Sequence, residues 1–192
     1  MINYTPPTRH TSLFYHSREE YLDIVLPYFA AGLENNEFCQ WNLPDDFKAE
    51  DAQRVLEVYA GQMNIHIGKA QFSIKSHDSF YLKDGLFSAS RVLESFIELE
   101  KRALEKGFKG VRTVGDGTWA LGKDWLGLLL YENEVNRVIQ EHKIRALCSY
   151  FVPRMDLKDI CDIGTAHQSS LVKQLGNWSR LDGSKFVQAD IY

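Results

Sequence analysis

Short apolar runs alternate with longer amphipathic stretches along the whole chain. TSLFY at 11–15 reads as a buried strand. REEYLDIVLPYFAAGL, 18–33, reads as a helix running towards Gly32, opened by a capping box of Ser17 and Glu20. Pro27 lies inside it and predicts a kink. EFCQWNL at 37–43 predicts the next strand, stopped by Pro44. Asp45 or Asp46 can cap a second helix, with Val55, Leu56 and Tyr59 on one face. IHIGKAQFSIKS, 65–76, holds one short strand or two.

Ser88 can cap a long helix carrying Val92, Leu93, Phe96, Ile97 and Leu104 at helical spacing, ended by Gly107. GVRTVG at 110–115 is a strand, WLGLLLYENEVNRVIQEH at 125–142 a helix, and IRALCSYFV at 144–152 the most strand-like run of all. Asp156 or Asp159 starts a short helix. SSLVKQLGNWSRLDGSKFVQADI, 169–191, carries Gly-Asn and Asp-Gly turn signals and predicts an antiparallel hairpin or meander at the edge.

Alternating strands and helices imply a three-layer α/β architecture, a mostly parallel sheet with helices on both faces. Ligands in such sheets bind at the carboxyl ends of the strands. Those ends are Tyr15-His16, Trp41-Asn42, Val114-Gly115-Asp116 and Tyr150-Phe151, and several are aromatic.

At 192 residues the chain suits one domain, 1–192, long enough for a sizeable core. Its 44% hydrophobic and 25% charged residues are ordinary for a soluble globular protein. Net charge is −4 and no Lys/Arg block exceeds a pair, which argues against a nucleic-acid or anionic-membrane surface. Cys39, Cys148 and Cys161 are odd in number and form no C-x-x-C, so reduced thiols in a cytoplasm are expected. MINYTPPTRHTS has no apolar stretch of a secretion signal, and no run approaches the ~18 apolar residues of a membrane span.

Gly117–Lys123, GTWALGK, fits G-x-x-x-x-G-K between a strand and a helix. A phosphate loop also needs Ser or Thr after the lysine, to hold Mg²⁺; Asp124 stands there. Thr118, Trp119, Ala120 and Leu121 fill positions where small residues let backbone N–H groups approach phosphate, so the match reads as chance. Metal chemistry has little local support. His10 and His16 stand too far apart on one strand, at ~3.3 Å per residue, and no H-x-x-x-H exists. Cys39 and Cys148 lie mid-strand and read as inert buried hydrophobes. No nucleophile motif such as G-x-S-x-G is present. Helix-dipole stabilisation accounts for Glu19-Glu20 and Asp45-Asp46. Arg112 lies in a strand built for burial and needs a partner, expected to be Asp116 or Glu132.

The segment HTSLFYHSREEYLDIVLPYFAAGLENNEFCQW resembles the opening of the methanogen/methylotroph sensory (MEDS) domain. GVRTVGDGTWAL, LLYENEVN, ALCSYF, the late His167 and LVKQLGNWSRL are similar to the family's later blocks, in order and over nearly the whole chain. The resemblance implies a RecA-like sensory module with a degenerate nucleotide site, responsive to small hydrocarbon derivatives and often joined to kinase or DNA-binding parts. In a RecA-like arrangement the phosphate loop follows an early core strand; here that loop is HSREEY, without glycine or lysine.

The expectation is a non-catalytic ligand pocket at the strand ends, with walls of Tyr15, Trp41, Trp119 and Tyr150 and polar groups His16, Arg112, Asp116 and His167. No cofactor, metal or catalytic residue is expected. The ligand is a small, mostly apolar molecule, and the partner a kinase or transcription regulator, with a homodimer left open. The alternatives are a nucleotide-binding RecA-like switch or ATPase with a non-standard loop, and a regulatory module that acts by contact alone.

Overall fold

A computed structural model describes residues 4–64, 70–182 and 185–188, the last four by backbone alone. His10–Tyr15 forms β1, Arg18–Glu34 α1, Phe38–Asn42 β2, Ala49–Gln62 α2 and Phe72–Lys75 β3. His77–Tyr81 forms α3, followed by the short pair β4 (Leu82–Lys83) and β5 (Leu86–Phe87). Then come α4 (Ala89–Glu105), β6 (Val111–Asp116), α5 (Trp125–Val138), β7 (Ile144–Phe151) and α6 (Leu157–Ala166). The chain continues through β8 (Ser169–Gln174), β9 (Asn177–Asp182) and β10 (Lys185–Gln188).

Eight strands form one sheet in the order β10-β9-β8-β1-β7-β6-β2-β3. From β8 through β3 every neighbouring pair is parallel. β9 and β10 extend the β8 edge in antiparallel fashion. All six residues of β1 and all six of β6 are buried. Both strands lie inside the sheet with helices on either face, which is why HTSLFY and VRTVGD show no regular apolar–polar alternation.

Alternation still decides which face each side chain enters. Leu13, Trp41, Val114 and Leu147 join Tyr21, Ile24, Phe29 and Leu56 in a core under α1 and α2. Phe14, Val111, Ala146 and Tyr150 join Val92, Phe96, Leu128 and Ile163 in a second core under α4, α5 and α6.

Several details depart from the sequence reading. Neither Asp45 nor Asp46 caps α2; the N-cap is Lys48, with no side-chain bond. Both aspartates pair with arginines instead, Asp45 with Arg154 at 2.8 Å and Asp46 with Arg18 at 3.8 Å. The Ser17 hydroxyl accepts the Glu20 N–H as expected, but the Glu20 carboxylate reaches past the cap to the His16 N–H at 2.8 Å. The expected strand region 65–76 yields β3, while 65–69 fall outside the described residues. α3 and the β4–β5 hairpin have no counterpart in the sequence reading, although Asp84-Gly85, both at positive φ, is a type I′ signal. β8 begins the predicted edge meander but is parallel to β1, with Thr11 opposite Ser169. The reversal comes at Leu175-Gly176, with φ of 49° and 83°.

Candidate functional site

The predicted site residues lie on opposite faces of the sheet. Tyr15 and Asp116 meet under α1. The Tyr15 hydroxyl donates to Asp116 Oδ2 at 3.0 Å, the Ser149 hydroxyl to the same oxygen at 2.9 Å, and the Thr118 N–H to Oδ1 at 2.9 Å. Burial outweighs these hydrogen bonds and pushes the Asp116 carboxyl up to about 6. Above this pair, at the carboxyl ends of the strands, lies a cleft of about 260 Å³ lined by Tyr15, Arg18, Asp45, Phe47, Phe151 and Arg154 among others.

Tyr150 and His167 belong to a different constellation, on the α5 face. Tyr150 donates its hydroxyl to Glu132 Oε1 at 2.8 Å. His10 Nε2 lies 3.0 Å from Glu132 Oε2, and the rings of His10 and His167 stack at 4.0 Å. The Cys148 sulfur is 3.5 Å from His10 Nε2 and 3.6 Å from Glu132 Oε2. His167 Nε2 lies 3.6 Å from the same carboxylate oxygen. Parity brings His10 and Cys148 together, for Ser12, two residues along β1 from His10, is the register partner of Cys148. Burial opposes ionisation of Glu132, but the hydrogen bond from His10 holds its carboxyl below the ordinary range. Burial lowers His167 to about 3, so its ring is neutral. Burial, with Glu132 beside it, pushes the Cys148 thiol well above its usual value. Cys148 is thus held as a protonated thiol, as a buried cysteine is expected to be, but it is not a plain hydrophobe: its sulfur lies beside a histidine nitrogen and a carboxylate oxygen.

Beside Cys148 an apolar cavity of about 30 Å³ runs between α4, α5 and the sheet, lined by Tyr81, Phe96, Ile97, Val135 and Ala146 among others. Tyr81 comes from α3 and lies over Gly115, where a Cβ would stand 1.8 Å from its hydroxyl. Trp119 covers this corner, with its ring 5.5 Å from Tyr81 and 5.3 Å from Phe87.

Three predicted residues stand elsewhere. Trp41 is fully buried in the α1 core, where its indole N–H donates to the Tyr21 hydroxyl at 2.6 Å. His16 is exposed and pairs with Glu20 at 3.4 Å. Arg112 pairs with neither Asp116 nor Glu132. It lies near the amino end of β6, where its Nε donates to Glu37 at 2.5 Å and its Nη1 to the Tyr28 carbonyl at 2.9 Å. The strand carries Arg112 and Asp116 four residues apart, too far along an extended backbone for them to meet.

The G-x-x-x-x-G-K segment folds on itself. Thr118 N–H binds Asp116, Ala120 N–H binds the Gly117 carbonyl, and Leu121 N–H binds Thr118. Lys123 is exposed. Gly117 is demanded by packing, since a Cβ there would lie 2.5 Å from the Tyr150 ring.

Residues 9–168 match the sequence profile of the MEDS domain, described as the methanogen/methylotroph, DcmR sensory domain. The chain is similar to the transcriptional repressor DcmR of Methylorubrum extorquens, 28% identical over 159 residues, covering 78% of this chain and 54% of the repressor. It thus spans about half the length of that relative. In structure it is similar to the uncharacterized protein PH0321 of Pyrococcus horikoshii, crystallised with an unknown peptide (TM-score 0.59, 11% identity, 91% of this chain and 84% of that one). It is also similar to the KaiC-like protein PH0186 of the same organism (TM-score 0.54, 10% identity, 93% and 81%). At such low identity these structures speak for the fold, which is RecA-like. Among the described residues no helix is long and apolar enough to cross a membrane. The matched span of 160 residues takes in β1 through α6, and the chain belongs to the MEDS sensory-domain family.

Proposed function

We propose that this chain is a sensory module that binds a small, mostly apolar molecule and passes the signal by contact to a transcription-regulating or kinase partner, without catalysing a reaction. The apolar cavity beside Cys148 carries this reading. Apolar walls with a few polar groups are the usual make-up of a small-molecule site. Here Thr113, Cys148 and Tyr81 supply the polar atoms. A dry cavity of about 150 Å³ holds benzene, so one of about 30 Å³ suits a molecule of very few heavy atoms. The family's sensory description and the repressor relative support a regulatory output.

Nucleotide binding has weaker support. The amino end of α1, where a phosphate would sit, faces the Glu20 carboxylate, and Arg18 and Arg154 in the nearby cleft are each paired with an aspartate.

Small halogenated and methylated compounds, with aromatic ones as a size series, are to be screened by thermal shift. The smallest should raise the melting temperature by mass action. Ile97 lines the cavity and is 39% exposed, so it stands at the opening. Ile97→Trp should abolish the stabilisation, and Arg154→Ala in the strand-end cleft should preserve it. Stabilisation by Mg-ATP that disappears in Arg154→Ala would favour the nucleotide reading. No stabilisation by any compound would favour the contact-only module.

A further inference from the structure

His10, Glu132, Cys148 and His167 come from β1, α5, β7 and the residue that follows α6. One donor atom from each lies within 4.8 Å of the other three. We propose that these four side chains form a binding site for a first-row transition-metal dication of the zinc class. This stands apart from the ligand reading above: of its four donors only the Cys148 sulfur also lines the apolar cavity, and it survives if no small molecule binds.

The spacing suits a shared ion. Tetrahedral zinc with Zn–N, Zn–O and Zn–S bonds of about 2.0–2.3 Å sets its ligand atoms roughly 3.3–3.7 Å apart. Four of the six separations are 3.0 Å for His10–Glu132, 3.5 Å for Cys148–His10, 3.6 Å for Cys148–Glu132 and 3.6 Å for His167–Glu132, and the other two lie within 4.8 Å.

His167 is the sharpest indicator. Its Nδ1 lies 2.8 Å from the Ile163 carbonyl, which can only accept, so Nδ1 carries the hydrogen and Nε2 is a bare lone pair. That lone pair is buried, has no hydrogen-bond partner, and points to a carboxylate oxygen 3.6 Å away. An acceptor facing an acceptor inside a protein is unfavourable; a cation between them turns both into ligands. A ligating imidazole whose other nitrogen donates to a backbone carbonyl is the usual outer-shell arrangement. Tyr150 does the same for Glu132, holding Oε1 and leaving Oε2 to face the cluster. His10 Nδ1 has no such support.

The donor set selects the ion. Two imidazoles and a sulfur are poor ligands for calcium or magnesium, which take oxygen, and good ones for zinc, cobalt or nickel. In the bound form a thiolate and a carboxylate carry two negative charges, which a dication balances, leaving the cluster itself without net charge. Hydrogen bonding within the cluster, without metal, accounts for Glu132 but leaves the His167 nitrogen unexplained. The ion would tie two central strands to α5 and to the end of α6. Cys148 also lines the apolar cavity, so a molecule there would meet the metal-bound sulfur.

The untagged chain, stripped with a chelator and kept reduced, is to be titrated with Co²⁺. One equivalent should produce the strong visible bands of a tetrahedral site and a near-ultraviolet thiolate-to-cobalt charge-transfer band, both removed by Zn²⁺. Cys148→Ser should lose the charge-transfer band, and His167→Ala should bind Co²⁺ at least tenfold more weakly. Cys161 is the exposed competitor, and Cys161→Ser should keep the full spectrum. A wild-type chain that shows no charge-transfer band overturns the proposal whatever the variants do. So does a band that survives Cys148→Ser or vanishes with Cys161→Ser. If His167→Ala does not fold, the wild-type and cysteine spectra still decide.

Discussion

Arg112 donates its Nε–H to Glu37 Oε2 at 2.5 Å, under the last turns of α1 and at the end of the sheet opposite the carboxyl ends of the parallel strands. The guanidinium also stacks over Tyr28, 4.7 Å from the ring centroid. Gly32 makes the room, for a Cβ there would stand 2.7 Å from Arg112 Cδ. The pair joins β6 to the start of β2 and lines neither the apolar cavity beside Cys148 nor the strand-end cleft. Removing either partner strands a buried charge, so Arg112→Ala and Glu37→Ala should each cost about 3–5 kcal/mol in chemical denaturation. The double variant should cost clearly less than the sum. Small, additive losses would mean that the pair is solvated.

Asp116 gives the domain a stability that falls as pH rises. Its folded pKa is raised to about 6 from 3.8, so between those values the folded state holds more protons than the unfolded one. Stability from this group is fully present below pH 3.8 and lost as pH rises through about 6. The loss approaches ~3 kcal/mol, at 1.36 kcal/mol per pKa unit. Asp116→Asn keeps an acceptor for the Thr118 N–H, and the Tyr15 and Ser149 hydroxyls can turn to accept from its amide. The variant should therefore be flatter between pH 4 and 7, gaining on the wild type as pH rises. Parallel urea-denaturation profiles for the two proteins would exclude a buried, raised Asp116.

Gly117 and Lys123 separate packing from phosphate binding. Gly117→Ala drives a methyl group towards the Tyr150 ring at 2.5 Å and Leu128 at 3.1 Å, and should cost about 1–3 kcal/mol. Lys123→Ala removes an exposed side chain and should change stability by less than ~0.5 kcal/mol. Calorimetry with Mg-ATP should register no binding to either variant or to the parent chain. A micromolar affinity lost in Lys123→Ala would restore the segment as a phosphate loop.

The strand–helix alternation, the Ser17 and Ser88 caps and the parallel central sheet were legible because each rests on local pattern. Grouping the strand-end aromatics into one pocket failed on period-two geometry. Tyr15 and Trp41 enter the α1 face and Tyr150 the α5 face, so a sheet separates them. The His10 cluster left no local motif, because His10 and Glu132 are 122 residues apart and His10 and Cys148 138 apart. What could have pointed to it was histidine and cysteine on neighbouring buried strands, with a glutamate on the apolar face of a helix. That pattern becomes informative only once strand order puts β1 beside β7.

The two tryptophans that the sequence treats alike should part in experiment. Trp41 is fully buried, bonded to Tyr21 and packed on Phe29 and Phe47. Trp41→Ala should cost ~3–5 kcal/mol and leave ligand binding by the folded protein unchanged. Trp119 is half-buried and lies against Tyr81, which lines the apolar cavity. A molecule entering the cavity would displace or polarise Tyr81, and the change would reach the Trp119 ring 5.5 Å away. Its fluorescence should shift on binding, and Trp119→Phe should abolish the shift at little cost in stability. Trp41→Phe should keep the response. If the signal instead follows Trp41, the ligand sits under α1, in the strand-end cleft beside Tyr15, and the cavity at Cys148 is not the sensing site.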